Sequence, residues 1–156
     1  MAYRDLRDLL AVLEQKGRLR RVTKPVDRNW EIACLARWAF QALDEKDRFG
    51  LLFDSVEGSG IPVATGVLGS SAEAYAIALG IDPDAINECW SRALRQPVAP
   101  RTIDVAPCQE VVLTGADADL GRLPIPVWTP GKDVAPYISC PVVTRDRDRG
   151  VYNVGV

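Results

Sequence analysis

Asn153 is the residue of this sequence whose type and setting most suggest metal chemistry. It stands in Asn153-Val154-Gly155-Val156, an alternating run that reads as a strand. On a strand its side chain shares one face with Val151 and Gly155, while Tyr152, Val154 and Val156 take the other. A carboxamide oxygen can bind a hard cation, and a glycine beside it lets a ligand approach the backbone closely. The competing reading is a polar side chain on an exposed strand. Glu110, Asp117 and Asp119 could pair as acid and base or gather a divalent cation. Within Gly115-Ala116-Asp117-Ala118-Asp119-Leu120 the two aspartates are better read as capping a turn. Gly66-Val67-Leu68-Gly69-Ser70-Ser71 could turn backbone N–H groups toward a phosphate, or simply make a tight strand-to-helix turn. It is neither a GxGxxG nor a Walker A loop.

The sequence contains no histidine. Within these residues that excludes a Ser-His-Asp triad, a Cys-His pair, a histidine general base and a His-ligated zinc site. The four cysteines, Cys34, Cys89, Cys108 and Cys140, are spaced by 55, 19 and 32 and include no CxxC knuckle. They are expected to be packing residues in a reducing cytoplasm.

The elements that must position these groups fall into two stretches. Leu6, Leu9, Leu10 and Leu13 make one apolar helical stripe, with Gly17 placed for a left-handed cap, and a strand follows over 18–22. Asp27 or Asn29 can cap a second helix over 30–43, with Ile32, Leu35, Ala36, Ala39 and Leu43 inward and Trp30, Cys34 and Trp38 on its flank. Strands are predicted over 51–53 and 61–67. Ser70 and Glu73 have the spacing of a capping box for a third helix that Gly80 closes. Asp82-Pro83 opens a fourth, with Ile86, Cys89, Trp90, Ala93 and Leu94 on one face. Residues 1–96 thus read as a mixed α/β domain. Eight of the eleven prolines lie from Pro97 onward, and no helical period survives there. Strands are predicted over 109–113, 137–144 and 151–156, with at most a helical turn over 116–120 and a charged turn over 145–150. Residues 97–156 therefore read as a proline-rich linker and the first strands of an incomplete β domain, because a hairpin cannot cover its own apolar face. The chain is expected to be a piece of something longer.

Composition sets the class. A chain of 156 residues and 17.1 kDa, 47% hydrophobic and 26% charged, is globular and can fold without disulfides or metal. No apolar run is long enough to span a membrane, and the first residues lack the apolar core of a signal peptide. Net charge is -2, with +4 over residues 1–28 and -6 over the rest. No nucleic-acid partner is expected, and the basic opening reads as a solvated helix and strand face rather than an arm for an anionic partner.

Several stretches together resemble the UbiD family of prenylated-FMN-dependent decarboxylases. They are Tyr3-Arg4-Asp5-Leu6-Arg7-Asp8-Leu9-Leu10, Pro25-Val26-Asp27 with Glu31-Ile32-Ala33, Leu52-Phe53-Asp54-Ser55-Val56, and most of all Pro107-Cys108-Gln109-Glu110-Val111-Val112-Leu113-Thr114-Gly115. Pro136-Tyr137-Ile138-Ser139 and Asn153-Val154-Gly155-Val156 continue the series. The resemblance runs the whole chain in order. It implies an α+β architecture, with an N-terminal mixed α/β domain followed by the first strands of a split β-barrel that holds prenylated FMN. It also implies that Asn153 is a ligand to a divalent metal, manganese, with potassium as a further ion. Val154, Gly155 and Val156 would line the cofactor. The family's histidine and carboxylate ligands and its catalytic acid network lie beyond the matched motifs, so no catalytic residue is assigned here.

The implied activity is reversible, non-oxidative decarboxylation of an aromatic or α,β-unsaturated carboxylic acid by a homo-oligomeric cytoplasmic enzyme, to which this chain alone would contribute no turnover. The sequence departs from the family at Asp133-Val134-Ala135, where Asp-Gly-Gly is usual before Pro-Tyr, so the substrate is left open. The alternative is a non-catalytic module that docks on a full-length decarboxylase or binds an anionic nucleotide.

Overall fold

The computed structural model describes residues 3–99 and 101–155. Its architecture is α+β, as expected. Helix α1 (Leu6–Gln15) is capped by the Asp5 carboxylate, which accepts from the Asp8 N–H at 3.1 Å. It ends in a Schellman turn: Gly17, at φ 70°, donates to the Glu14 carbonyl and Arg18 donates to that of Leu13. Strand β1 (Leu19–Val22) leads into α2 (Glu31–Gln41), and β2 (Gly50–Phe53) returns parallel to β1, with Leu19 opposite Gly50. Strand β3 (Val63–Thr65) pairs antiparallel to β2, so the order is β1-β2-β3.

The alternation of side chains along β2 divides the core. Leu51 and Phe53 point toward α2, packing with Ile32, Ala36, Ala39 and Phe49. Leu52 points the other way, toward Leu13 of α1 and Ala74 of α3 (Ala72–Leu79). Helices therefore cover both faces, and every residue of β2 is buried. This is why its sequence is a continuous apolar run.

Local differences from the sequence expectations have physical causes. Ser71, not Ser70, caps α3: its hydroxyl accepts from the Ala74 N–H at 3.1 Å, while the Ser70 hydroxyl is buried with no partner among the described residues. The capping box with Glu73 therefore does not form, and Glu73 pairs with Arg18. Neither Asp27 nor Asn29 caps α2: Trp30 holds the N-cap position with no side-chain cap, and Asp27 instead accepts from the Asn29 N–H while Glu31 accepts from the Asp27 N–H. Leu6 and Leu35 are exposed, at the edges of stripes whose centres are buried. Helix α4 (Ile86–Arg95) has no buried residue; its apolar face carries Trp90 and the 77% exposed Leu94. Among the described residues its one side-chain hydrogen bond to another element joins Trp90 Nε1 to the Tyr75 hydroxyl at 2.9 Å.

Beyond α4 the predicted strand over 109–113 is absent. A single helical turn occupies Pro107–Gln109, and Val111 and Val112 lie exposed with no strand among the described residues to pair with. Further single turns cover Gly115–Asp117 and Leu120–Arg122. The last elements, β4 (Val142–Arg145) and β5 (Tyr152–Gly155), form an antiparallel hairpin. β4 starts later than expected because Pro141 has no N–H to give a ladder.

The proline-rich stretch is nevertheless seated. Arg28 Nη1 donates to the carbonyls of Gly121 and Leu123, and the Val127 N–H donates to the Arg28 carbonyl at 3.1 Å. These bonds hold Pro124 and Pro126 buried. Trp128 Nε1 donates to the Tyr137 carbonyl at 3.0 Å and closes the loop between them.

Candidate functional site

The β4–β5 hairpin positions Asn153. Its turn is locally determined: Asp146 Oδ1 accepts from the N–H groups of Asp148 and Arg149, and Gly150 sits at φ 68°, where a side chain would be strained. The Asp146 N–H then donates to the Val151 carbonyl at 2.8 Å, fixing the register. Asn153 lies opposite Thr144 and Gly155 opposite Val142, on one face. Val154 opposite Val143 and Tyr152 opposite Arg145 take the other, with the Arg145 guanidinium 5.6 Å from the Tyr152 ring centre. Asn153 is exposed, and a Cβ added at Gly155 would meet only the Asn153 Nδ2, at 3.9 Å. That leaves open backbone beside an accessible carboxamide. Val156 lies outside the described residues.

This donor set suits one corner of a metal site. A hard divalent cation takes six or more oxygen ligands. No group of three or more His, Cys, Asp or Glu side chains that could hold a metal gathers among the described residues. Asn153 and the Thr144 hydroxyl are the neutral oxygens that the hairpin face offers.

Asp119 and the 66–71 loop resolve to structural roles, whereas Glu110 and Asp117 are exposed and their carboxylates make no hydrogen bond among the described residues. Asp119 caps the turn at Gly121, whose N–H it accepts at 2.8 Å. The 66–71 loop is a tight turn: Gly66 is at φ 66°, and a Cβ there would fall 2.3 Å from Phe40 Cζ. The anion position at the start of α3 is taken by the chain's own Glu45, whose carboxylate accepts from the Ala72 N–H at 3.0 Å. The cysteines are not core residues. Cys34, Cys108 and Cys140 are exposed and Cys89 is half-buried, because the faces that carry them are uncovered. Part of the basic opening is paired internally: Arg4 pairs with Asp8, Arg18 with Glu73, and Arg21 with Glu14 and Asp54.

Charge effects concentrate on these pairs. Hydrogen bonding to Arg4 lowers the Asp8 carboxyl below its usual value, and hydrogen bonding to Arg21 does the same for Glu14. Glu14 and Asp54 both pair with Arg21, while Asp8 pairs with Arg4 within the start of α1.

One feature escaped the sequence reading. A cavity of about 740 Å³ lies between α2, the end of β3 and the segments 124–128 and 137–140. Its parts are separated by more than a hundred residues, and the flank of α2 singled out in the sequence, Trp30, Cys34 and Trp38, does not line it.

Known proteins of the same build exist. A family model described as the 3-octaprenyl-4-hydroxybenzoate carboxy-lyase N-terminal domain matches residues 10–94, and the Rift-related domain of the same carboxy-lyase matches residues 101–156. The uncharacterized protein sll0936 of Synechocystis sp. is 34% identical over 178 residues, covering 98% of this chain and 34% of the relative. An evolved dimeric form of the UbiD-class enzyme HmfF from Pelotomaculum thermopropionicum, solved with prFMN, superimposes with a TM-score of 0.84 at 37% identity, over 97% of this chain and 34% of that one. The apo 3,4-dihydroxybenzoic acid decarboxylase from Enterobacter cloacae gives 0.83 at 30% identity, over 100% and 34%. The chain thus spans about a third of the length of the relatives it matches. The motif resemblance, the two consecutive domain models and the shared fold agree, and the chain belongs to the UbiD family of carboxy-lyases.

Proposed function

We propose that this chain is the N-terminal part of a prenylated-FMN-dependent decarboxylase acting on an aromatic or α,β-unsaturated carboxylic acid. Residues 1–96 form its first domain, and residues 97–156 open its flavin-binding domain. The observation that carries this reading is Asn153: an accessible carboxamide next to a glycine, on a hairpin face that follows two family domains in their proper order.

Asn153 would supply one oxygen ligand to a divalent cation, manganese, with potassium as a further ion. A neutral ligand suits that role, since the cation would offset the charge of the flavin phosphate rather than protein charge. Val154, Gly155 and Val156 would line the cofactor. The prenylated flavin, when bound, supplies the electron sink for loss of carbon dioxide. The protein's task at this strand is to hold and orient. With no histidine in its 156 residues and one metal ligand assigned, the chain by itself gives no turnover. The working enzyme is a cytoplasmic homo-oligomer.

A chimera tests this, with residues 1–156 replacing the corresponding third of HmfF. The chimera should fold by circular dichroism, retain flavin absorbance and release carbon dioxide from the HmfF substrate. Asn153→Ala in it should keep the fold and lose bound manganese and flavin together. A folded chimera whose metal and flavin content ignores Asn153→Ala would overturn the ligand assignment. Turnover by the 156-residue chain on a panel of aromatic acids would overturn the division of labour.

A further inference from the structure

Residues 101–155 are hydrogen-bonded to the first domain at one place. Among the described residues, every hydrogen bond that joins 3–99 to 101–155 ends on Arg28. Its Nη1 donates to the carbonyls of Gly121 at 3.1 Å and Leu123 at 2.8 Å, and its own carbonyl accepts the Val127 N–H at 3.1 Å. No ion pair crosses among those residues. Both apolar core clusters are built from residues between Leu9 and Ile77, so neither reaches the second part. Of the described residues from Arg101 onward, only Pro124 and Pro126 are buried. The connecting chain adds no hold: residues 97–99 and 101–105 are exposed and make no hydrogen bond among the described residues.

Both sides of this contact are stiff. Arg28 stands on a loop stitched to the chain leaving β2, where the Val26 N–H donates to the Ser55 carbonyl at 3.1 Å and the Glu57 N–H to the Val26 carbonyl at 3.0 Å. Opposite it, Asp119 caps Gly121, the Leu123 N–H donates to the Leu120 carbonyl at 3.1 Å, and Pro124 and Pro126 have fixed φ. Trp128 Nε1 ties this stretch to Tyr137, three residues before Cys140. Beside the contact lies the cavity of about 740 Å³, with α2 on one side and 137–140 on the other. A cavity opposes rotation less than packed side chains do, because its walls have no partner atoms across it. Domains that share a small interface move relative to one another unless something holds them.

We propose that Arg28 is the positioning residue of this junction: it pins the proline-rich stretch and sets the angle at which the second part of the chain stands on the first. Hydrogen bonds are directional, so a residue that donates to two carbonyls and accepts a third bond on its main chain resists turning as well as separation. Apolar contact through two prolines is non-directional and resists separation only. With the pin in place the second part keeps one orientation; without it that part swings on the exposed connection and the cavity varies in width. For the function proposed above, the flavin-binding domain then starts from a fixed orientation. That consequence rests on the reading given there, whereas the pin needs neither metal nor flavin, so the two can fail separately.

The chain's own thiols can report the angle. Cys34 on α2 and Cys140 in the far wall of the cavity are both exposed. In the intact chain with Cys89→Ser and Cys108→Ser, spin labels on these two give the distance across the junction by double electron–electron resonance. With Arg28 present the distribution should be single and narrow, and Arg28→Ala should make it broad. Arg28→Lys, the milder change, should broaden it in part, since an ammonium keeps several N–H donors on one nitrogen. Ser71→Ala removes the cap of α3 away from the junction, and should leave the distribution narrow although it lowers stability. A distribution already broad with Arg28 present would mean that its bonds fix no angle and would overturn the proposal. A distribution that stays narrow in every folded Arg28 variant would mean that the buried prolines suffice, with the same consequence. Broadening by Ser71→Ala equal to that by Arg28→Ala would show general loosening and would overturn it as well.

Discussion

Arg28 Nη1 donates to the Leu123 carbonyl at 2.8 Å, across 95 residues of sequence. The same nitrogen reaches the Gly121 carbonyl at 3.1 Å, and the Arg28 carbonyl receives the Val127 N–H. One residue thus docks the proline-rich stretch on the helix-covered sheet. Proline cannot donate to a ladder, so this stretch has few other ways to be held. Arg28→Ala should cost about 1–3 kcal/mol, since hydrogen bonds to a charged group exceed the usual net value. Limited proteolysis should then cut between residues 118 and 135 sooner than in the unsubstituted chain. Arg28→Lys should restore part of the loss, because both carbonyls accept from a single nitrogen and an ammonium also carries several N–H donors on one nitrogen.

Ser70 and Ser71 separate a structural hydroxyl from an idle one. Ser71→Ala removes the N-cap of α3 and should cost about 1 kcal/mol in urea unfolding. Ser70→Ala removes a buried hydroxyl with no partner among the described residues, and should be neutral or slightly stabilising. A loss for Ser70→Ala with none for Ser71→Ala would mean that the cap lies one residue earlier.

That pair also shows where sequence reading stops. Both serines are good caps, and the choice rests on backbone angles: Ser71 has the extended φ -158° and ψ 162° of an N-cap. The run Leu51-Leu52-Phe53 was legible because a central strand buried on both faces needs no other pattern. The hairpin bearing Asn153 was legible because Asp146 and Gly150 write its turn locally. Val111-Val112-Leu113 misled, since a strand exists only with a neighbour, and propensity does not say whether one is there. Arg28 was invisible for a related reason. Its partners, Gly121, Leu123 and Val127, are brought near by tertiary folding, and nothing in its immediate sequence marks it.

The centre of the sheet should tolerate little. Phe53 is fully buried and packs between β2 and α2, so Phe53→Ala should cost about 3–5 kcal/mol through lost burial and the cavity left behind. Gly66→Ala should be damaging for another reason. At φ 66° any side chain is strained, and the new methyl would strike Phe40. The double variant Gly66→Ala with Phe40→Leu should recover part of the loss in thermal melts, and recovery of none would mean that backbone strain alone is responsible.

The ion pairs around Arg21 predict a direction for acid sensitivity. Arg21 reaches Glu14 at 3.1 Å and Asp54 at 2.6 Å, tying α1 to the chain leaving β2. Hydrogen bonding to Arg21, and then its charge, holds the Glu14 carboxyl below its ordinary value of 4.5. The folded state therefore binds the Glu14 proton less readily than the unfolded chain does. The stabilisation is fully present above 4.5 and is lost as the pH falls through the lower, folded value. Glu14→Gln should lower the melting temperature slightly near neutrality, the effect being small because the pair is exposed. The difference from the unsubstituted chain should close in acid. A gap that stays constant across that range would mean that Glu14 contributes through packing of its methylenes and not through its charge.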